Sequence, residues 1–140
     1  MANSILKGHC LCKSVQYVVA GKPTWCAHCH CGDCRRHTGS AVATFVCFEK
    51  GDFALTDGEF GKIESSPGVY RSFCAACGTP MAYERNELPG EIHLYLGTLE
   101  KPEQLKPTLE VFCRERLPWL KLTVDGLSFD GLPDGVGQGN

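Results

Sequence analysis

The sequence lacks any run of about 20 apolar residues, so it offers no segment long enough for a membrane-spanning helix. It also lacks charge of one sign. Fourteen Lys and Arg face sixteen Asp and Glu, a formal charge of −2. With no basic stripe there is no electrostatic footprint for nucleic acid or an anionic membrane surface, and neither is expected as a partner. The first residues, Met1 to Gly8, lack the apolar stretch of a secretory signal, which makes a reducing cytoplasm the expected compartment. Internal repeats and an interdomain linker are missing too. At 140 residues the chain fits one domain. That domain is expected over 1–125. Residues 126–140 hold Gly126, Gly131, Pro133, Gly135, Gly137 and Gly139 and read as a flexible tail.

Helix signals are few. Gly32 to His37, stopped by Gly39, reads as one short helix, and Lys101 to Lys106, opened by Pro102, as another turn. Strand signals dominate. Val15, Tyr17 and Val19 alternate, and Ala41 to Phe48 is β-branched and aromatic. Phe53 to Leu55 and Val69 to Phe73 each follow a glycine-containing turn. Glu91 to Leu96 puts Ile92, Leu94 and Leu96 on one face with His93 and Tyr95 opposite. Thr108 to Cys113 completes the set. The fold class is therefore mainly β, with few short helices.

What the chain does have is cysteine, ten in all. Such a count in a reducing compartment points to metal or catalysis rather than to disulfides. Cys74-x-x-Cys77 followed by Gly78 has the spacing of a zinc knuckle, and the glycine suits a turn of positive φ. Cys10 and Cys12 supply the other half of a closed, structural four-cysteine site. Cys29, Cys31 and Cys34 are three thiolates within six residues, which suits a zinc ion with one open, catalytic position. Cys26, His28 or His30 could instead close that position and make the site structural. Cys47 and Cys113 stand alone in apolar strands and read as buried small hydrophobes. Core packing is the expectation for Trp25 and Trp119.

These residues resemble a known family. His9-Cys10-Leu11-Cys12, then Cys29-His30-Cys31-Gly32-Asp33-Cys34-Arg35-Arg36 with Gly39, then Phe73-Cys74-Ala75-Ala76-Cys77-Gly78-Thr79 resemble the glutathione-dependent formaldehyde-activating enzyme family, whose domain is shared with centromere protein V. The segment Pro107 to Trp119 resembles the family's terminal segment, so the likeness runs over about residues 8 to 120. It implies coiled sheets of the β-tent type with two zinc ions. Cys10, Cys12, Cys74 and Cys77 would hold the structural zinc, and Cys29, Cys31 and Cys34 the catalytic one. Cys26 matches no ligand position. Two departures stand out: Lys13 in place of a usual glycine, and Glu110 where many members carry histidine.

The activity so implied is that of a carbon–sulfur lyase, forming or cleaving S-hydroxymethylglutathione or a similar thiol–aldehyde adduct. The partners would be a thiol such as glutathione and an aldehyde, acting on a monomer or homodimer. Arg35 and Arg36 could bind a substrate carboxylate. The rival expectation is a non-catalytic zinc-stabilised interaction module. With seven thiolates and two zinc ions the net charge would fall to about −5, which argues further against nucleic acid.

Overall fold

The computed structural model describes residues 4–122 and 126–133. Among these the chain forms eleven strands in two sheets and one α-helix. The smaller sheet has the order β1-β2-β5, with β1 at Leu6–His9, β2 at Gln16–Val19 and β5 at Phe53–Asp57. The larger has the order β11-β10-β3-β4-β9-β8-β7-β6. Its middle is β3 (Trp25–Cys29), β4 (Ala43–Glu49) and β9 (Glu91–Tyr95), all antiparallel. A meander of β6 (Gly61–Ser66), β7 (Val69–Phe73) and β8 (Pro80–Arg85) extends one side. On the other, β10 (Leu109–Val111) runs parallel to β3 and to β11 (Leu127–Ser128).

The middle of the larger sheet is buried on both faces. Successive strand side chains point to opposite sides, and β4 divides accordingly. Val46 and Phe48 join Tyr17, Val19, Met81, Ile92 and Leu94 in one core, whereas Ala43 and Phe45 join Tyr95, Val111 and Phe112 in a second. Strand β9 does the same. The His93 and Tyr95 face, read from the sequence as the side away from the apolar one, is buried too, at 5% and 6% exposure. A polar-looking alternation thus hides a second core made of aromatic rings.

Several expectations shift. Cys113 is not in a strand: Phe112 turns to φ 56°, and Cys113–Glu115 forms a half-buried 3-10 turn. Trp119 is no core residue but 70% exposed. The described part of the glycine-rich tail is laid against β10, with Leu127 N–H donating to Thr108 O and Phe129 N–H to Glu110 O. A Cβ at Gly126 would collide with the Thr108 carbonyl, so glycine is what lets this strand approach. Residues 134–140 lie outside the described residues.

Within the smaller sheet, β1 passes Tyr17 of β2. Gly8 bridges to Leu99, and a Cβ there would run into the Tyr17 ring. That ring is fully buried, and its hydroxyl hydrogen-bonds Thr98 Oγ1 at 2.7 Å. It has no room to retreat. Gly8→Ala should cost about 1–3 kcal/mol by overpacking, read from chemical denaturation at an unchanged m-value.

Candidate metal centres and the adjoining cavity

The backbone brings two cysteine groups together. The first joins the turn after β1 to the turn after β7. The sulfurs of Cys10, Cys12, Cys74 and Cys77 all lie within 4.8 Å of one another. Two of the separations, Cys10 to Cys12 and Cys12 to Cys74, are 3.6 and 3.8 Å. Four sulfurs at ~2.3 Å from a tetrahedral zinc stand about 3.8 Å apart, so this set has the spacing such an ion needs. The turns are shaped for it. Gly78 takes φ 81° and donates its N–H to Cys74 O at 2.7 Å. Lys13 takes φ 66°, so the turn keeps a glycine-like backbone although a lysine occupies it.

Donors surround these sulfurs. Val15 N–H reaches Cys10 Sγ at 3.3 Å, Cys77 N–H reaches Cys74 Sγ at 3.4 Å, and Ser14 Oγ lies 3.0 and 3.3 Å from Cys12 and Cys74. The Thr79 hydroxyl, 3.1 Å from Cys77 Sγ, is the main cause of that thiol's shift down to about 5. Hydrogen bonds to the charged form favour thiolate, the form that binds metal.

The second group is built by β3 and the helix that follows it. Cys29 ends the strand, Cys31 caps helix α1 (Gly32–Thr38), and Cys34 lies one turn in. Cys31 Sγ accepts the Cys34 N–H at 3.3 Å, so a sulfur does the N-capping work usually given to an oxygen. Gly39, at φ 71°, closes the helix by donating to Arg35 O. The three sulfurs lie within 4.8 Å of one another. Hydrogen bonds from Cys29 and Cys34 pull the Cys31 thiol far down, while the bond to Cys31 pushes Cys29 far up. Three sulfurs this close cannot all ionise unless a cation joins them, which is the donor chemistry of a soft-metal site.

Cys26 is not in this group. It lies one side-chain alternation away on β3 and packs with Val46, Phe48 and Leu94 in the first core. Burial raises its thiol to about 11. Strand periodicity therefore separates Cys26 from Cys29.

Arg35 and Arg36 face elsewhere. The Arg35 guanidinium donates to the His30 carbonyl at 3.0 Å and to that of Glu115, and Arg36 reaches Gly32 O at 3.4 Å. Both border a surface depression with Leu117 and Trp119, apart from the cavity beside Cys29, Cys31 and Cys34. The arginine that does line that cavity is Arg71 on β7, only 4% exposed. Its Nη1 stands 3.6 Å from Cys34 Sγ and 3.3 Å from the Tyr95 hydroxyl, and its Nε donates to Ser65 Oγ at 3.0 Å. The guanidinium also lies 5.1 Å from the centre of the Tyr83 ring. A single arginine in a strand has no local signature, and the pairing of β7 with β8 and of β8 with β9 puts it here.

The cavity has a volume of about 220 Å³. Trp25, Phe45, Tyr83, His93 and Phe112 supply rings to its wall, and Leu132 from the tail lines it as well. The rings touch in series. Trp25 meets His93 edge-on at 4.6 Å, His93 stacks on Tyr83 at 5.3 Å, and Tyr83 meets Phe45 at 5.9 Å.

Behind β3, His30 is fully buried and its Nε2 lies 2.8 Å from Glu110 Oε1. Burial alone would raise the Glu110 carboxyl, but hydrogen bonds with His30 and Ser128 hold it below its ordinary value near 4.5. A depressed carboxyl stabilises the fold above that ordinary value and loses this contribution as pH falls through the depressed one. Melting of wild type and Glu110→Gln between about pH 3 and pH 7 should show a stability gap that is full near neutrality and closes in acid.

Known proteins compare as follows. A protein of Rhodobacter sphaeroides solved by crystallography has a similar fold, with a TM-score of 0.57 and 24% identity over 67% of this chain and 87% of its own. No curated protein matches the sequence. A family profile described as glutathione-dependent formaldehyde-activating enzyme matches residues 5–115.

Proposed function

The chain belongs to the glutathione-dependent formaldehyde-activating enzyme family, and from that premise we propose that it is a zinc-dependent carbon–sulfur lyase that joins a thiol to an aldehyde or cleaves their adduct. The observation that carries this reading is the cluster of Cys29, Cys31 and Cys34 at a cavity wall, with Cys26 in the opposite core. The rival module with a saturated second site would need Cys26, His28 or His30 as fourth ligand. Cys26 lies in the opposite core, whereas His28 pairs with Thr44 and His30 with Glu110. Cys10, Cys12, Cys74 and Cys77 would hold a second, structural zinc. All ten cysteines are unpaired, which suits the reducing cytoplasm proposed for it.

Zinc held by Cys29, Cys31 and Cys34 would supply Lewis acidity, lowering the pKa of a thiol and polarising a carbonyl. The chain's own residues supply the rest. Three thiolates outweigh a dication by one negative charge, and the Arg71 guanidinium beside Cys34 offsets it in a buried setting where charge counts heavily. Ser65 and Tyr95 hold Arg71 in place. Burial pushes the Tyr95 hydroxyl well above its ordinary value, so it stays protonated at neutral pH. Arg71 is thereby positioned to donate to the oxygen on which negative charge develops. The aromatic wall excludes water, which would compete with the thiol for the carbonyl. The reaction is self-contained: a carbon–sulfur bond forms, the carbonyl π bond breaks, and the thiol proton passes to oxygen.

Two measurements test this. Cys31→Ser should lose one zinc per chain and at least about 10²-fold in kcat for adduct formation, and wild-type kcat in that variant would refute the proposal. Cys74→Ser, in contrast, should act first on stability. A closed four-cysteine site contributes about 10–16 kcal/mol of apparent binding energy in small domains, so this variant should melt far below Cys31→Ser, as read by calorimetry.

A further inference from the structure

The cavity beside Cys29, Cys31 and Cys34 is built for more carbon than formaldehyde brings. Its volume of about 220 Å³ is far larger than a one-carbon aldehyde needs. Filled by formaldehyde alone, the space between the rings would keep wall atoms without a contacting partner, forfeiting dispersion contacts. Water occupies such a space only where several polar partners converge.

The same volume falls short of the ~300–1,000 Å³ that encloses drug-sized ligands, so a whole tripeptide thiol does not fit inside. Charge at the exposed rim points the same way, the buried Arg71 being already held by Cys34, Tyr95 and Ser65. Asp33 and Glu115 line the cavity and are exposed, placing carboxylates where an anionic peptide would enter. Arg85, also lining it, is paired with Glu87 at 2.8 Å. What fits the interior is one flat apolar ring with a short substituent. Trp25, Phe45, Tyr83 and His93 already form a chain of edge-on and stacked contacts between 4.6 and 5.9 Å. A further ring can join that series at the same spacing.

Resting on the lyase reading, we propose that the aldehyde half of the substrate is aromatic, its ring seated among Trp25, Phe45 and Tyr83 and its carbonyl directed at the three cysteines. The step is addition of a thiol to an aryl aldehyde. The sulfur–carbon bond forms, the C=O π bond opens to an alcohol, and the thiol proton ends on the oxygen; cleavage is the reverse, with no oxidant or reductant.

The test uses the zinc-loaded full chain with a small uncharged thiol, 2-mercaptoethanol, and either benzaldehyde or formaldehyde, following exchange with the adduct by NMR. Benzyl alcohol serves as an unreactive ring probe, read by its effect on Tm and on protein chemical shifts. The expected result is a kcat/KM for benzaldehyde about 10²-fold above that for formaldehyde, in line with the discrimination a shaped apolar pocket reaches. Trp25→Leu should lower the benzaldehyde-to-formaldehyde ratio about tenfold. Val69→Trp, which fills the cavity from β7 instead of emptying it, should lower the ratio too and abolish the Tm rise with benzyl alcohol. Preference for formaldehyde would overturn the aromatic inference and leave the lyase reading standing. Turnover of neither aldehyde would overturn the lyase reading. The ring site would then fall as well if benzyl alcohol moved neither Tm nor chemical shifts.

Discussion

The alternation of side chains along β3 is the constraint from which the rest of the arrangement follows. Five residues, Trp25 to Cys29, run between β4 and β10 with a period of two. Trp25, Ala27 and Cys29 line the cavity, whereas Cys26 enters the core shared with the smaller sheet. A slip of one residue would exchange these sets, putting Cys26 with Cys31 and burying Cys29 among Val46 and Leu94. The register is pinned on both sides. Antiparallel pairing sets Cys29 opposite Ala43, and parallel pairing sets it opposite Val111. The separation of a ligand-like cysteine from an inert one therefore comes from backbone hydrogen bonds rather than from anything in the cysteines.

Clustered thiolates then have to be made tolerable. Main-chain N–H groups point at Cys10, Cys31 and Cys74, each from a turn whose conformation the chain must adopt to bring the sulfurs together. At the cavity site a buried arginine is added, and the arginine needs its own support, which Ser65, Tyr95 and the Tyr83 ring supply. Among the described residues no arginine stands beside the four-cysteine group in this way, and it leans on the hydroxyls of Ser14 and Thr79. Lys13 shows the cost of assembling that turn. A non-glycine residue at positive φ is strained by about 1–2 kcal/mol, yet its N–H still donates to Cys10 O at 3.1 Å.

Much of this could be read from residue types and spacing, and the reasons it stops are specific. The mainly β class, the short helix from Gly32 and the two cysteine groups rest on local pattern, which survives folding. Strand β3 escaped because its cysteines read as a metal motif and hid its β character. Strand β9 was legible as a strand, but His93 and Tyr95 looked outward-facing because polarity alone cannot reveal a second core. The apolar pattern continues to Cys113, but the strand ends two residues earlier, at Val111, where Phe112 turns into the left-handed region. Hydrophobicity points Trp119 to the core, but much of a folded surface is apolar and a single large residue can stay exposed. Arg71 had no local signal at all. Arg35 and Arg36 drew attention by adjacency to Cys34, but a helix turns its residues around an axis, so neighbours in sequence face different ways.

The tail and Glu110 show how a departure in sequence can be absorbed by a distant element. Glu110 puts a carboxylate on β10, where burial would penalise it. His30, held between two of the three clustered cysteines, meets one oxygen, and Ser128 Oγ from β11 meets the other at 3.1 Å. The tail segment that brings Ser128 also places Phe129 and Leu132 against the second core, Leu132 in the cavity wall. A glycine-rich stretch that looks dispensable by composition is thus tied to the cysteine site through one carboxylate. The residues flanking the ligands matter as much as the ligands, because a helix cap, a buried histidine–glutamate hydrogen bond and a two-residue strand together set where three sulfurs point.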